Sequence, residues 1–491
     1  MKPIIALFAN LLCLPIMAQR DYTLVEQRNA WLSSGNAAAL TTFSDSTIAH
    51  ASLTYRHEGG ALRSLSQGRR TNAADADVRS YYRLTPDIVA YGSMTYHYAS
   101  GSRMAGSMFI PTMELMPFDL VDDSIGNAGD KRMETFRING AIGWRVWRDV
   151  SVGARIDYTA GTYAKHRDLR HSNTLMDIDA RLNAFLALPD NGGIGAGFVY
   201  RRRTETMAFD TYGTTDRIYT TLVDYANHYG ETETFGVEGF TDDTNELPLL
   251  NEHVGFTAQG AWKGIFANIT YSHRTGYYGR QSQYSASHEQ HHGDALSLHL
   301  RCDMARNAQR LLWIDATMTT ERLTAERENY RKTTATDGTA VTYYEYFEPT
   351  KMADKTQTYG TAAMTAYWNP AGEIFLWHVK GGVDYWTKRQ TAYVFPDINT
   401  AKKHIIAPFV TAKRGFLTHN SSLWTAQVGC SVLTGSEEQF AANAALAYEM
   451  PVQGTRVRPS ITLSYNFRTA TGGIMKGLTR NVVSLTAAAT F

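Results

Sequence analysis

The sequence predicts an all-β protein, a closed antiparallel transmembrane β-barrel of about eighteen strands, with fourteen or sixteen as alternative counts. Three observations predict it. Apolar and polar residues alternate with period two along most of the 491 residues, as strands with two different faces require. The segments between these stretches are short and long by turns. No run beyond the first twenty residues is apolar for long enough to cross a bilayer as a helix.

Composition agrees. With 28 Tyr and 20 Phe the chain is aromatic-rich, as strands and interfacial girdles demand. A net charge of +1 gives no electrostatic reason to expect a nucleic-acid partner.

The chain begins with Lys2 and an apolar run that includes Ile4, Leu7, Phe8, Leu11 and Leu14. Ile16-Met17-Ala18 then offers a small residue before Gln19, so residues 1–18 read as a secretory signal peptide cleaved after Ala18. Leu12 stands before Cys13 where a lipoprotein signal would carry a small residue. Cys302 and Cys430 remain, each on the apolar face of a predicted strand, and are expected as buried or lipid-facing thiols rather than a disulfide. Residues 19–45 form an N-terminal periplasmic segment or a plug. Within it Val25 to Leu32 predicts a short helix that Ser33-Ser34-Gly35-Asn36 ends.

Residues 46–491 form the barrel. Ala49, Ala51, Leu53 and Tyr55 oppose His50, Ser52, Thr54 and Arg56. Ala74, Ala76, Val78 and Tyr82 oppose Asp75, Asp77, Arg79 and Tyr81. The pattern recurs at Phe136–Trp144, Val150–Tyr158, Met176–Ala184, Val254–Trp262, Leu296–Cys302 and Trp424–Val432. Lys403 to Lys413 is strand-like without a clear face. Pro459 cannot donate to a ladder, so it predicts a bulge or a miscounted strand. The last strand, Asn481 to Phe491, carries Val483, Leu485, Ala487, Ala489 and Phe491 on one face.

The connections are sorted. Pro86-Asp87, Arg148-Asp149, Lys263-Gly264 and Asn369–Gly372 are short and carry turn residues. Gly101–Arg132, Thr204–Asn251, Gly276–Gly293 and Glu321–Lys355 are long and polar, and are expected as loops. Starting and ending inside, the count puts every short turn on the periplasmic side, the habit of outer-membrane barrels. Trp144, Trp147, Trp262 and Trp368 lie beside short turns, where an interfacial belt belongs.

Two groups of residues invite chemistry. His288-Glu289-Gln290-His291-His292 spells a zinc-protease pattern, but that chemistry needs a helix to bring both histidines to one face. The flanking residues predict a polar loop instead, so catalysis is not expected and His288, His291 and His292 are at most a loop metal patch. No catalytic residue, cofactor or enzyme activity is expected elsewhere. The polar faces carry charges of both signs: Asp75, Asp77, Arg79, Arg155, Asp157, Asp177, Asp179 and Arg181 are expected to line the lumen.

Three resemblances bear on the reading. The terminal strand ending on Phe491 resembles the closing strand of bacterial outer-membrane barrels, which implies that Phe491 is the signal read by the barrel-insertion machinery. Asp168-Leu169-Arg170-His171-Ser172-Asn173 and Trp31-Leu-Ser-Ser-Gly-Asn-Ala-Ala38 resemble motifs of an uncharacterised Bacteroidota family of outer-membrane β-barrel proteins. Leu169 and His171 stand where that family has prolines. Asn36-Ala-Ala-Ala-Leu40 more weakly resembles the Asn-Pro-Ala-Gly-Leu stretch of fatty-acid-transporter-type barrels. Together they imply the cell outer membrane, lipid and insertion machinery as partners, and a transport-related role. The alternative is a structural or adaptor barrel that docks a surface lipoprotein, receptor or secretion substrate.

Overall fold

The computed structural model describes residues 22–491 except 46, 123–124, 191, 212–218, 236–246, 283–284, 335–341, 372–373, 420, 453–454 and 456. The expected signal peptide therefore lies outside the described residues. Its strands are β1 (Thr47–Gly60), β2 (Arg70–Thr85), β3 (Ile88–Met104), β4 (Asp119–Asp122), β5 (Gly129–Trp147), β6 (Val150–Lys165) and β7 (Arg170–Leu188). Then follow β8 (Gly192–Asp210), β9 (Tyr219–Ala226), β10 (Tyr229–Phe235), β11 (Leu247–Trp262), β12 (Ile265–Ser282), β13 (Ser285–Arg306) and β14 (Arg310–Thr334). The last are β15 (Thr342–Ala371), β16 (Ile374–Val394), β17 (Asp397–Leu417), β18 (Leu423–Gly435), β19 (Gln439–Glu449), β20 (Arg458–Ala470) and β21 (Thr479–Thr490).

Eighteen of these close a single antiparallel barrel in which β21 returns to pair with β1. Its seam runs from His50 opposite Thr490 to Gly60 opposite Arg480, and Phe491 exchanges backbone hydrogen bonds with Ala49. Closure answers the exterior. Leu53, Phe256, Leu182 and Val428 each stand about 60% exposed or more on outward faces. A surface so apolar belongs in lipid, and lipid tolerates no unpaired strand edge. Trp144, Trp147 and Trp262 point outward near short turns, and Trp368 stacks on Trp377 with ring centroids 5.7 Å apart. Cys302 and Cys430 are free and outward-facing.

The remaining strands, β4, β9 and β10, form a small separate sheet built from the two longest connections. Two short helices precede the barrel, α1 (Tyr22–Arg28) and α2 (Ala30–Ser33), followed by a 3-10 turn at Ala38–Thr42.

Four expectations need correction. Gly276–Gly293 and Glu321–Lys355 are mostly strand, not loop: β12–β13 and β14–β15 rise as tall hairpins. Beyond the bilayer a strand's outward face meets water, so it turns polar and the apolar alternation fades. His288–His292 lies within β13 for the same reason. The helix expected at Val25–Leu32 is broken at Asn29, whose side chain accepts from the Trp31 amide and caps α2. Pro459 makes no bulge, because it is the second residue of β20 and pairs with Ala489 in unbroken register.

The wall is uneven in height. β13, β14 and β15 have 22, 25 and 30 residues, whereas β18 to β21 have 13, 11, 13 and 12. A tilted strand needs about 9–11 residues to cross the hydrocarbon core, so the β18–β21 side barely clears it.

Candidate transport site in the lumen

Two inserted segments fill part of the barrel. The first is the N-terminal segment, which sits in the end defined by the short turns. Trp31 packs edge-on against Phe185 and Phe266, at 4.7 and 5.1 Å between ring centroids. The buried Asn36 amide donates to Gln259 Oε1 at 2.8 Å, and the Ala37 amide donates to Asn183 Oδ1 at 3.1 Å. Leu24 joins Leu311, Trp313 and Tyr367, and Tyr22 stacks on Tyr81. The small residues Ala37 and Ala38 lie directly on the wall at two glycines. A Cβ on Gly153 would stand 2.3 Å from the Ala38 nitrogen, and one on Gly143 2.4 Å from the Ala37 oxygen. The stretch Trp31–Leu40, singled out by resemblance, is thus the contact core of this plug.

The second insertion is the connection 105–118, which folds inward between β3 and β4. The wall holds its backbone at many points. Asn173 donates to the Met108 carbonyl at 2.9 Å, and Glu205 accepts from the Ile110 amide at 2.7 Å. Gln357, Arg274 and Lys355 donate to the carbonyls of Met113, Leu115 and Met116 at 2.8, 2.6 and 2.9 Å. Glu114 pairs with Arg201. Burial pushes the Glu114 carboxyl up, but Arg201, Arg274 and neighbouring cations outweigh it and hold the carboxyl at about 2. Above this loop Phe109, Phe118, Leu120, Met207 and Tyr278 form a buried cluster under the small β4–β9–β10 sheet. Asp119 in β4 is raised to about 6, chiefly by burial, against a hydrogen bond from Ser107.

The sequence-predicted lumen residues fall into two groups. On β2, Arg79 bonds Asp77 at 2.6 Å and lies 3.8 Å from Glu26 of α1, while Asp75 meets His97 at 2.5 Å and Arg56 at 3.7 Å. On β5 to β8 the charges pair across neighbours. Asp157 accepts from Arg155 at 2.7 Å and Arg137 at 3.2 Å. Asp179 takes a two-point contact from Arg181 at 2.8 Å each, and Asp177 takes one from Arg201 at 2.8 and 2.6 Å. Among the described residues no ion pair joins the two groups.

Glu114, Glu205, Arg274 and Lys355 escaped the sequence reading, whereas Asn173 closes the Asp168–Asn173 stretch singled out by resemblance. Glu205 and Lys355 were hidden because the outer parts of β8 and β15 read as loop, and Glu114 lies in the connection 105–118, which carries no strand alternation. Within β13, His291 faces inward and bonds Asn251 at 2.8 Å, whereas His292 is on the opposite face. His288 stands at a β-bulge between Ser287 and Glu289, beside the rings of Tyr278 and Tyr330. The strand sends His291 and His292 to opposite faces, and among the described residues no cluster of three metal-ligating side chains is found.

The plug's described contacts run to β1–β3, β5–β8 and β11–β16, and those of the inner loop to β5, β7, β8, β12, β14 and β15. None of these contacts falls on β17–β21. The lumen is filled in one sector and lined by partly exposed side chains in the other.

The chain belongs to the family of unknown function DUF6850, whose model matches residues 37–477. A search of curated proteins gave no match. Among solved structures it is similar to BauA, the ferric preacinetobactin receptor from Acinetobacter baumannii, at 8% identity and TM-score 0.46, covering 91% of this chain and 80% of that one. It is also similar to the toluene transporter TbuX from Ralstonia pickettii, at 9% identity and TM-score 0.33, covering 93% and 92%. A third is FauA, the alcaligin outer-membrane receptor from Bordetella pertussis, at 9% identity and TM-score 0.33, covering 90% and 76%. The barrel thus resembles outer-membrane receptors and a hydrocarbon transporter.

Proposed function

We propose that this DUF6850 protein is an outer-membrane transport barrel, a conduit narrowed by its own N-terminal segment and inner loop. The observation that carries the reading is the one-sided filling of the lumen. A barrel built only as a scaffold gains nothing from a sector of inward polar groups left without protein partners, because a buried polar group is ordinarily paired. A water-filled path needs such a sector. The apolar exterior supports placement in the outer membrane, with lipids as its surroundings.

A second reading has its own observation. At the β16–β17 tip, on the tall side of the wall, Phe395 is 97% exposed and Ile398 69%. Lone apolar residues this exposed on a raised rim suit a surface partner such as a lipoprotein.

Conductance of the purified full chain in planar bilayers separates the readings. The transport reading expects discrete conductance steps that grow when Trp31→Ala and Asn36→Ala together loosen the plug. Silence in both proteins, with the barrel shown folded by heat-modifiable migration, overturns it and leaves the docking reading.

A further inference from the structure

We infer that solute passes along the inner face of β18–β21, and that this lane suits an uncharged, hydroxyl-bearing solute of sugar type. The inference rests on the transport reading above and adds the path and the solute class.

The register of these four strands fixes which side chains face inward. Ile461, Leu463, Leu446 and Leu485 are exposed on the outside, so the alternate positions face the lumen. Those include Gln427, Ser431, Asn443, Ser464, Asn466 and Ser484. They form continuous rows: Asn443 pairs with Asn466, and Ser464 with Ser484. All six are partly exposed, and none has a side-chain hydrogen-bond partner among the described residues. Their groups are free to meet water or solute.

Charge is confined to the ends of this face. At the outer end are Arg468 and Arg480, the latter paired with Glu58. At the inner end Arg458 is paired with Glu449. Between them the inward positions of all four strands carry Ser, Thr, Asn, Gln, Ala, Gly and Val, with no aromatic ring.

A cavity of about 710 Å³ opens at the outer end of the same strands. Arg63, Gln67, Lys403, Glu438, Arg468 and Met475 are among its walls. Because β18–β21 are the short strands, this cavity stands on the low side of the barrel, beside the tall hairpins rather than beneath them. Vestibule, charge-free face and the sector free of plug contacts therefore coincide.

The chemistry selects the solute. An ion leaving bulk water needs a counter-charge, or it loses several kcal/mol of hydration. The acids and bases of the opposite wall are bound to one another, and the lane's middle offers none. An apolar solute finds no aromatic or large aliphatic surface between Leu433 and Val482 across the middle of the lane. Hydroxyl and amide groups both donate and accept, so they replace the water shell of a polyhydroxyl solute bond for bond.

The test is swelling of liposomes that contain the full-length protein, in isosmotic arabinose or in sodium gluconate. Arabinose is expected to enter at least fivefold faster than gluconate. Ser464→Trp and Asn443→Trp should each cut arabinose entrance several-fold, while Thr317→Trp, inward on β14 across the lumen, changes it less than twofold. As a gentler variant, Ser464→Cys should pass arabinose normally until a water-soluble, membrane-impermeant thiol reagent blocks it; Cys302 and Cys430 face lipid and are shielded. Equal entrance of gluconate and arabinose overturns the solute class. Arabinose flux indifferent to modified Ser464→Cys overturns the path. Neither result touches the transport reading; entrance of no probe of either kind counts against that reading instead.

Discussion

β5–β8 and β18–β21 obey the same period-two rule, yet one set faces protein and the other faces open lumen. The difference lies in the inward residues. On β5–β8 these are arginines and aspartates held in mutual contacts, amides that bond the plug, and glycines on which the plug backbone rests. On β18–β21 the inward residues between the end charges are uncharged, and Gln427, Ser431, Asn443, Ser464, Asn466 and Ser484 have no side-chain partner among the described residues. Outward residues are apolar in both. The outward face thus records the bilayer, and the inward face records what fills the barrel.

The largest effect that would break this comparison comes from one glycine in each sector. A Cβ on Gly153 collides with the plug backbone, which cannot yield without leaving the wall. A Cβ on Gly429 would meet only Thr411 Oγ1 at 2.9 Å and the Asn443 amide at 3.0 Å, the far ends of side chains that can turn. Gly153→Val should unseat the plug and raise single-channel conductance several-fold, with the barrel still heat-modifiable. Gly429→Ala should leave conductance within about a fifth of the parent. Equal behaviour of the two would mean that the plug does not set the open area.

The next effect concerns the paired charges. Asp157 is buried and takes Arg155, Arg137 and Asn139. Asp157→Asn leaves two guanidinium groups short of their acid and should cost about 1–3 kcal/mol in urea unfolding. Ser464→Asn, in the open sector, should stay within about 0.5 kcal/mol. A matching cost at both sites would show that the β5–β8 charges are as solvated as the open face.

Sequence alone displayed the outward half of this design well. Leu53, Ile138, Leu182, Phe256 and Val428 alternate because lipid tolerates nothing else, and short turns of Pro, Asp, Asn and Gly punctuate them. It hid the strands beyond the bilayer, where Tyr277, Gln290 and Glu326 sit side by side in strand with their side chains on the outer face. It also hid the assignment of each inward residue to a filled or an open sector. Asp157 and Ser464 are both simply polar in sequence; which of them meets a partner depends on where residues 22–45 and 105–118 fold back. Those contacts span up to 340 positions, as between Gln27 and Tyr367, and no local pattern encodes them.

A smaller effect tests the inner loop's tie to the filled wall. The Glu114 carboxyl lies at about 2, below the ordinary value of about 4.3, so the folded loop favours the ionised form. Its contribution is fully present above pH ~4.3 and is lost as pH falls through about 2. Glu114→Gln should therefore loosen the loop at pH 7, roughly doubling open-state current noise, and should remove the further loosening that the parent shows near pH 2. Identical noise in parent and variant at pH 7 would mean that the backbone bonds to Arg274, Gln357 and Lys355 hold the loop unaided.

The smallest effect is confined to the outer sheet, and its sign is opposite. Asp119 lies at about 6, above the ordinary value of about 3.9, because burial disfavours its charge. The folded sheet then binds a proton more tightly than the unfolded chain does. Asp119 imposes its full penalty above pH 6, and the penalty is relieved as pH falls through 6 toward 4. Amide hydrogen exchange of β4 and β9, corrected for the intrinsic pH dependence, should be slower at pH 5 than at pH 7.5. Asp119→Asn should erase that difference while keeping its acceptor for the Ser107 hydroxyl. A pH response that survives in Asp119→Asn would assign it to another group, and would separate the sheet's stability from the burial that covers the filled sector.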